Sequence, residues 1–314
     1  MRFFGETKID FIGKRRIAFT ASTILIIIGL ISLVINGGPK YGIDFTGGLA
    51  MELDISPVNE NGKVLEIQSI RDALQDAGIT GAEVQDIRGG EGRDFILIKT
   101  KNVNEDGTKI GDQIIEVIKT NFPDNVDPEN LVRLQEEIGP KIGEELKGKA
   151  ILAIFWALLG IILYIWWRFE FSFGLAAVSA LFHDVIITIG IFSLMGKEIS
   201  LAVVAALLMI VGYSLNDTIV VFDRIREDLR IYRKESYKSV INHSINETLS
   251  RTIITSLTTF LVVLSLNLFG GSVIKDFSFA MLIGVVVGTY SSIFIASPIL
   301  VEHFSARQKK KGKK

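Results

Sequence analysis

Cysteine is absent from the chain, which excludes a disulfide framework and any thiolate metal site. Histidine is scarce: His183, His243 and His303 are the only three and stand far apart, so no histidine metal cluster is expected. No segment carries a Walker loop, a nucleophile–base–orienter triad or metal-ligand spacing. No enzyme activity and no cofactor are expected on these grounds. Basic residues cluster beside apolar runs and nowhere form a folded basic face, which argues against nucleic acid as a partner.

What the chain has in excess is apolar length. Of its 314 residues 48% are hydrophobic, and mean hydropathy is +0.39. Six stretches reach the roughly 20 residues that cross a bilayer: 17–35, 150–167, 173–195, 201–222, 252–269 and 277–299. Lys14, Arg15 and Arg16 precede the first as in a signal peptide. The following Val34, Ile35, Asn36 and Gly37 make no A-x-A-like site, so an uncleaved anchor is expected.

Charge is segregated along the chain. Residues 36–149 hold 13 Lys/Arg against 22 Asp/Glu, and the remainder holds 21 against 13. Loops on one side of the membrane (1–16, 168–172, 223–251, 300–314) carry 19 Lys/Arg, whereas 196–200 and 270–276 carry only Lys197 and Lys275. The positive-inside rule then puts both termini in the cytoplasm and the acidic segment 36–149 outside. Segment 223–251 is expected as a cytoplasmic amphipathic loop, helical where it continues the fourth span, with Arg224 and Asp228 at i, i+4. The basic tail QKKKGKK suits either plain solvent or anionic lipid headgroups.

The outer segment reads as an α/β domain. Leu49–Ile55 alternates as a strand, Val64–Ala77 has helical spacing and Gly78 ends it. Strands are predicted at Ala82–Ile87 and Phe95–Thr100 around the turn Gly89-Gly90-Glu91-Gly92, a helix at Thr108–Phe122 and a last strand near Asn130–Glu136. This β-α-β-β-α-β order predicts a ferredoxin-like domain joined to a polytopic α-helical membrane protein of six transmembrane helices.

Polar groups inside the apolar runs are few. Asp217 lies in the fourth, where a central carboxylate costs roughly 2.5–3.5 kcal/mol on insertion scales. Tyr213, Asn216, Asp217 and Val220 share one helix face by spacing, and Thr252, Thr255, Ser256 and Thr259 form a hydroxyl face behind Arg251. Topology puts Asp217 and Arg251 at compatible depth, so an Asp–Arg pair is feasible. It would serve either as a proton-loading site or as a structural lock, and Arg251 alone could be a positive-inside anchor. His183-Asp184 in the third run is either a hydrogen-bonded contact or part of a relay. Gly284 and Gly288 in the sixth permit close helix approach. The stretch Asp44-Phe45-Thr46-Gly47-Gly48 lacks the Lys-Ser/Thr of a phosphate cradle and is expected as a turn into the outer domain.

VGYSLNDTIVVFDRIRE (211–227), LFHDV (181–185), LSRTIITSLTT (249–259), YGIDFTGG (41–48) and EIGPKIGEEL (137–146) resemble the SecF family of protein-export membrane subunits, over nearly the whole chain. The resemblance implies a fold of the RND superfamily and a bacterial cytoplasmic (inner) membrane location. It implies work beside SecD and the SecYEG channel on preproteins in transit. It further implies inward proton flow coupled to movement of the outer domains, with the SecD half supplied by another polypeptide. The family's intramembrane acid maps onto Asp217 and its S-R-T arginine onto Arg251, with Asn216, His183 and Asp184 as supporting groups of the proton relay. Gly42, Asp44, Phe45, Thr46, Gly47 and Gly48 carry its motif at the start of the outer domain. A scaffold that stabilises the translocase without moving protons is the alternative. Half of a small-molecule exporter fits less well, because the chain has a single small outer domain.

Overall fold

Residues 7–56, 65–88, 94–101, 110–127 and 130–311 are described in a computed structural model. In chain order the elements are α1 (Arg15–Ile35), α2 (Ile43–Thr46), β1 (Gly48–Asp54), α3 (Ile67–Asp76), β2 (Glu83–Arg88) and β3 (Asp94–Thr100). After these come α4 (Ile110–Asn121), β4 (Val132–Ile138), α5 (Pro140–Arg168), α6 (Phe171–Leu194), α7 (Leu201–Ile231) and α8 (Tyr237–Phe269). The chain ends in α9 (Gly271–Ser291), a π-helical turn over Ser292–Ala296, and α10 (Ser297–Lys311). Two compact units result, one from Met1–Lys40 with Leu152–Lys314 and one from Tyr41–Ile151.

The first unit is helical. Among the described residues six helices are long and apolar enough to cross a membrane, with α9, the π turn and α10 together forming the sixth, Ile274–Ala306. Half-buried windows (56%) mark α6, α7 and the sixth as the inner bundle, whereas the apolar window of α5 is 6% buried and that of α8 17%. Close approach of α9 to α7 uses the glycines of its seam: a Cβ on Gly284 would lie 2.2 Å from Ile210, and one on Gly288 3.0 Å from the Ser214 side chain. The backbones of α1 and α6 likewise touch at Gly29 and Gly190.

Several helices extend past the apolar runs that announce them. α7 continues nine residues beyond 222, and α8 begins at Tyr237 instead of near 252. The segment expected as a loop over 223–251 is therefore two helical extensions around a short connection at 232–236. Apolar Val240, Ile241 and Ile245 are buried on one face of the α8 extension, which is why it holds as helix in a polar stretch. Asn242 and Asn246 on that extension accept hydrogen bonds from the backbones of Phe11, Ile12 and Ile9, tying down the segment before α1.

The π turn has a local cause. Pro298, the second residue of α10, has no N–H for the carbonyl of Phe294 one turn above, and its ring would clash there in a continuous α-helix. Widening the turn relieves both, and the Ser297 hydroxyl donates to Ser292 O at 2.8 Å.

The second unit is a four-stranded antiparallel sheet in the order β2-β3-β1-β4. Alternation puts Leu49, Met51 and Leu53 of β1 and Ile96 and Ile98 of β3 on the face covered by α3 and α4, against Ile70, Leu74, Ile114 and Ile118. On the other face Arg133 pairs with Glu52 at 2.8 Å and lies 4.2 Å over the Phe95 ring. Each element falls within a few residues of its expected place. α3 begins at Ile67, β4 runs to Ile138, and the expected turn at 89–92 lies outside the described residues.

Candidate functional site

Buried carboxylates inside the helical unit mark the site. Asp217 on α7 is 6% exposed and Asp184 on α6 is 1% exposed. Neither forms a salt bridge with Lys or Arg among the described residues, so both depend on hydrogen bonds for their polar partners.

Asp184 is saturated from three helices. Its Oδ1 meets His183 Nδ1 at 2.8 Å, and its Oδ2 accepts from Ser214 of α7 at 2.5 Å and from Ser291 of α9 at 2.8 Å. His183 Nε2 continues to the Ser22 hydroxyl of α1 at 2.9 Å. Ser22 in turn meets the Tyr290 hydroxyl at 3.0 Å, which donates to Ala18 O at 2.9 Å. One connected polar chain therefore crosses α1, α6, α7 and α9.

Asp217 is held by the next residue along. Ser292, the first residue of the π turn, donates its hydroxyl to Asp217 Oδ2. Thr252 of α8 is buried beside the same carboxylate, its hydroxyl short of hydrogen-bond geometry to any described group. Thr289 donates to Ser256 at 2.7 Å and continues the hydroxyl lining towards α8. Two adjacent serines thus connect the two acids through a single peptide bond.

The expected companions of Asp217 are placed unevenly. Arg251 is exposed and acts on Asp217 only through longer-range attraction, without an ion pair. Asn216 is exposed one position away from the acid. Tyr213 points its hydroxyl into a buried position with no partner among the described residues. His183 and Asp184 stand together but on a different carboxylate from Asp217. Ser22, Ser214, Tyr290, Ser291 and Ser292 were not singled out by sequence. The run Thr289-Tyr290-Ser291-Ser292 was the available signal, and it is weak because helical hydroxyls so often bond to their own backbone.

The Gly42–Gly48 motif forms a joint. Ile43–Thr46 is one helical turn, Thr46 donates to Gly42 O at 3.1 Å, and Phe45 is buried against Tyr41. Gly47 has φ +73°, which favours glycine, and a Cβ there would lie 2.7 Å from Pro140 Cα. A Cβ on Gly143 would lie 2.8 Å from Gly47 N. The two glycine segments interlock backbone to backbone, and the Asp44 turn leads into β1.

A third carboxylate group lies at the end of α7. Asp228, His243 and Glu247 bring ligand atoms within 4.8 Å of one another. The Arg224 guanidinium already sits there, 3.1 Å from Asp228 Oδ1 and 2.5 Å from Glu247 Oε2. The cation of this cluster is the chain's own.

Fold and site define a multi-pass membrane protein with a small α/β unit between its first two long helices and paired carboxylates in its helical core. Residues 118–305 match the family described as protein export membrane protein SecD/SecF, C-terminal. The "Protein translocase subunit SecF" of Rhodothermus marinus is 46% identical over 308 residues, covering 96% of this chain and 95% of the relative. The subunit of the same name from Desulfurispirillum indicum is 46% identical over 298 residues, covering 93% and 91%. A crystal structure of SecDF, described as a translocon-associated membrane protein from Thermus thermophilus, is 36% identical with a TM-score of 0.81. That likeness covers 96% of this chain but only 39% of the SecDF chain. The chain belongs to the SecD/SecF family of protein-export membrane proteins, among the relatives named SecF.

Proposed function

We propose that the chain is a proton-coupled auxiliary subunit of the Sec preprotein translocase, acting with SecD beside the SecYEG channel. The observation that carries this reading is Asp217. It is a buried carboxylate in an apolar helix, held by a serine hydroxyl from a π turn, with a cation at longer range and, among the described residues, no ion pair to fix its charge. Such an acid can take up and release a proton at modest structural cost, because a serine hydroxyl can donate to the carboxylate or accept from the acid. Asp217 is the carrier, Arg251 biases its charge, and Asp184 with His183 holds the neighbouring helices. The ratio of coverages supports SecD as a separate partner: the SecF relative from Rhodothermus marinus is matched over 95% of its length and the SecDF chain over 39%.

In this reading both termini are cytoplasmic, residues 36–149 are extracytoplasmic, and the membrane is the bacterial inner membrane. The loop charges support that orientation. The sheet order β2-β3-β1-β4, with a helix before β2 and another before β4, supports a ferredoxin-like outer domain.

A scaffold role is the second reading, favoured by the saturated bonding of Asp184, which pins α6, α7 and α9 together. One comparison separates the two: proton flux and export by the SecD complex of Asp217→Asn against the parent protein. Loss of proton-dependent stimulation with assembly intact supports the carrier. Stimulation at the parent level leaves the scaffold reading alone standing.

A further inference from the structure

At the charged end of the helical unit, a cleft of about 880 Å³ opens between the start of α6, the end of α7, the start of α8 and α10. Its walls differ in chemistry. One is aromatic: Phe173 and Phe304 meet at 5.9 Å, and Phe304 meets Tyr237 at 5.1 Å. The other carries Arg226, Arg230, Arg233 and Lys234. Arg226 is committed to Asp223 at 3.1 Å, whereas Arg230, Arg233 and Lys234 form no salt bridge among the described residues. Glu170 and Glu235 also border the cleft, and four cations against two acids leave it positive. The amino end of α8 opens onto the same space and adds a positive dipole end.

We propose that this cleft binds the phosphate headgroup of an anionic phospholipid, its phosphate on Arg230, Arg233 and Lys234 and its glycerol and upper acyl carbons against Phe304 and Tyr237. The shape of the lining selects an amphiphile over a soluble anion: a free phosphate would use the cations and leave the aromatic wall idle. Position points the same way. Trp166 and Trp167, 69% and 84% exposed, end the membrane helix α5 beside Arg168, and Arg168 pairs with Asp223 of α7 at 2.8 Å. Exposed Phe171 opens α6 at that same level. Aromatic side chains gathered at the end of spanning helices mark the headgroup depth of a bilayer, and Arg230, seven residues or roughly 10 Å along α7 from Asp223, lies on the aqueous side of that level, within reach of lipid phosphates. The proposal is independent of the proton role of Asp217.

The test titrates the purified full chain in neutral detergent with phosphatidylglycerol, phosphatidylcholine and soluble glycerol 3-phosphate, counting bound molecules by native mass spectrometry. The cleft variant is Arg230→Gln/Arg233→Gln/Lys234→Gln, and Lys8→Gln/Lys14→Gln/Arg16→Gln removes three exposed cations from the segment before α1 and the start of that helix. Phosphatidylglycerol should bind in preference to phosphatidylcholine; the cleft variant should weaken it by about ten- to a hundred-fold, Arg233→Gln alone by about five-fold, and the control by less than about two-fold. Equal losses in both triple variants would mean diffuse charge and overturn the site. So would undiminished binding in the cleft variant. Glycerol 3-phosphate binding as tightly as the lipid would assign the cleft to a soluble anion and overturn the lipid.

Discussion

Ser291 and Ser292 are neighbours in the chain, yet they donate to different carboxylates, Ser291 to Asp184 and Ser292 to Asp217. Successive helical residues point about 100° apart, which lets the pair reach two acids on different sides. Whatever alters the hydrogen bonding of one acid therefore acts on the backbone that orients the donor to the other.

That link makes the two acids energetically coupled. Asp184→Asn and Asp217→Asn, combined in a double-mutant cycle, should show a coupling free energy of about 0.5–3 kcal/mol. Unfolding of the full chain by titrated denaturant in detergent measures it. Strict additivity would mean that the serine pair transmits nothing.

Ser292→Ala removes the hydroxyl that, among the described residues, donates in good geometry to the Asp217 carboxylate, and should cost about 1.5–3 kcal/mol of stability, as for a hydrogen bond to a charged group. Ser292→Thr keeps the hydroxyl and should restore part of it. The same unfolding measurement, paired with proton-dependent export, checks both. Export by Ser292→Ala at the parent level would show that this donor does not tune the acid.

His183→Phe keeps an aromatic ring beside Tyr290 but removes both ring nitrogens, leaving Ser22 and Asp184 each without one partner. A loss of about 1–3 kcal/mol is expected. Because the broken link joins α1 to α6, amide exchange should rise first along α1. A uniform rise across all helices would contradict a local role.

Two glycines of α5 should respond oppositely to alanine. At Gly143 the new Cβ would press on backbone atoms of Gly47 and Phe45, which cannot rotate away, and a cost of about 1–3 kcal/mol is expected. At Gly148 nothing lies within 4 Å, so alanine should stabilise the helix by roughly 0.5–1 kcal/mol. Thermal unfolding of the two variants, with proteolysis of residues 41–151, reads both effects.

Much of the fold was legible because period and length are strong signals. The alternation of Leu49, Met51 and Leu53 marks a buried strand face, and six apolar runs mark six long helices. Helix ends were less legible, since Val240, Ile241 and Ile245 hold the start of α8 in place through tertiary burial that no local pattern announces. The site is half legible. Asp217 and His183-Asp184 stand out as charge within apolar sequence. Ser291 and Ser292 do not, because which carboxylate a helical hydroxyl meets is decided by packing angle. Depth alone suggests Arg251 as a partner of Asp217; the residue is exposed and acts on the acid at longer range, with no ion pair between them among the described residues.

The wide turn at Ser292–Ala296 carries about one residue more than an α-helical path of equal rise. That residue is slack. Taking it up would turn everything beyond by about 100°, one residue's share of a helical turn. Phe304, a dozen residues further on, would then swing out of its contacts with Phe173 and Tyr237. In the tightened turn the Pro298 ring would clash with the Phe294 carbonyl, so this proline holds Phe304 in register with Phe173 and Tyr237.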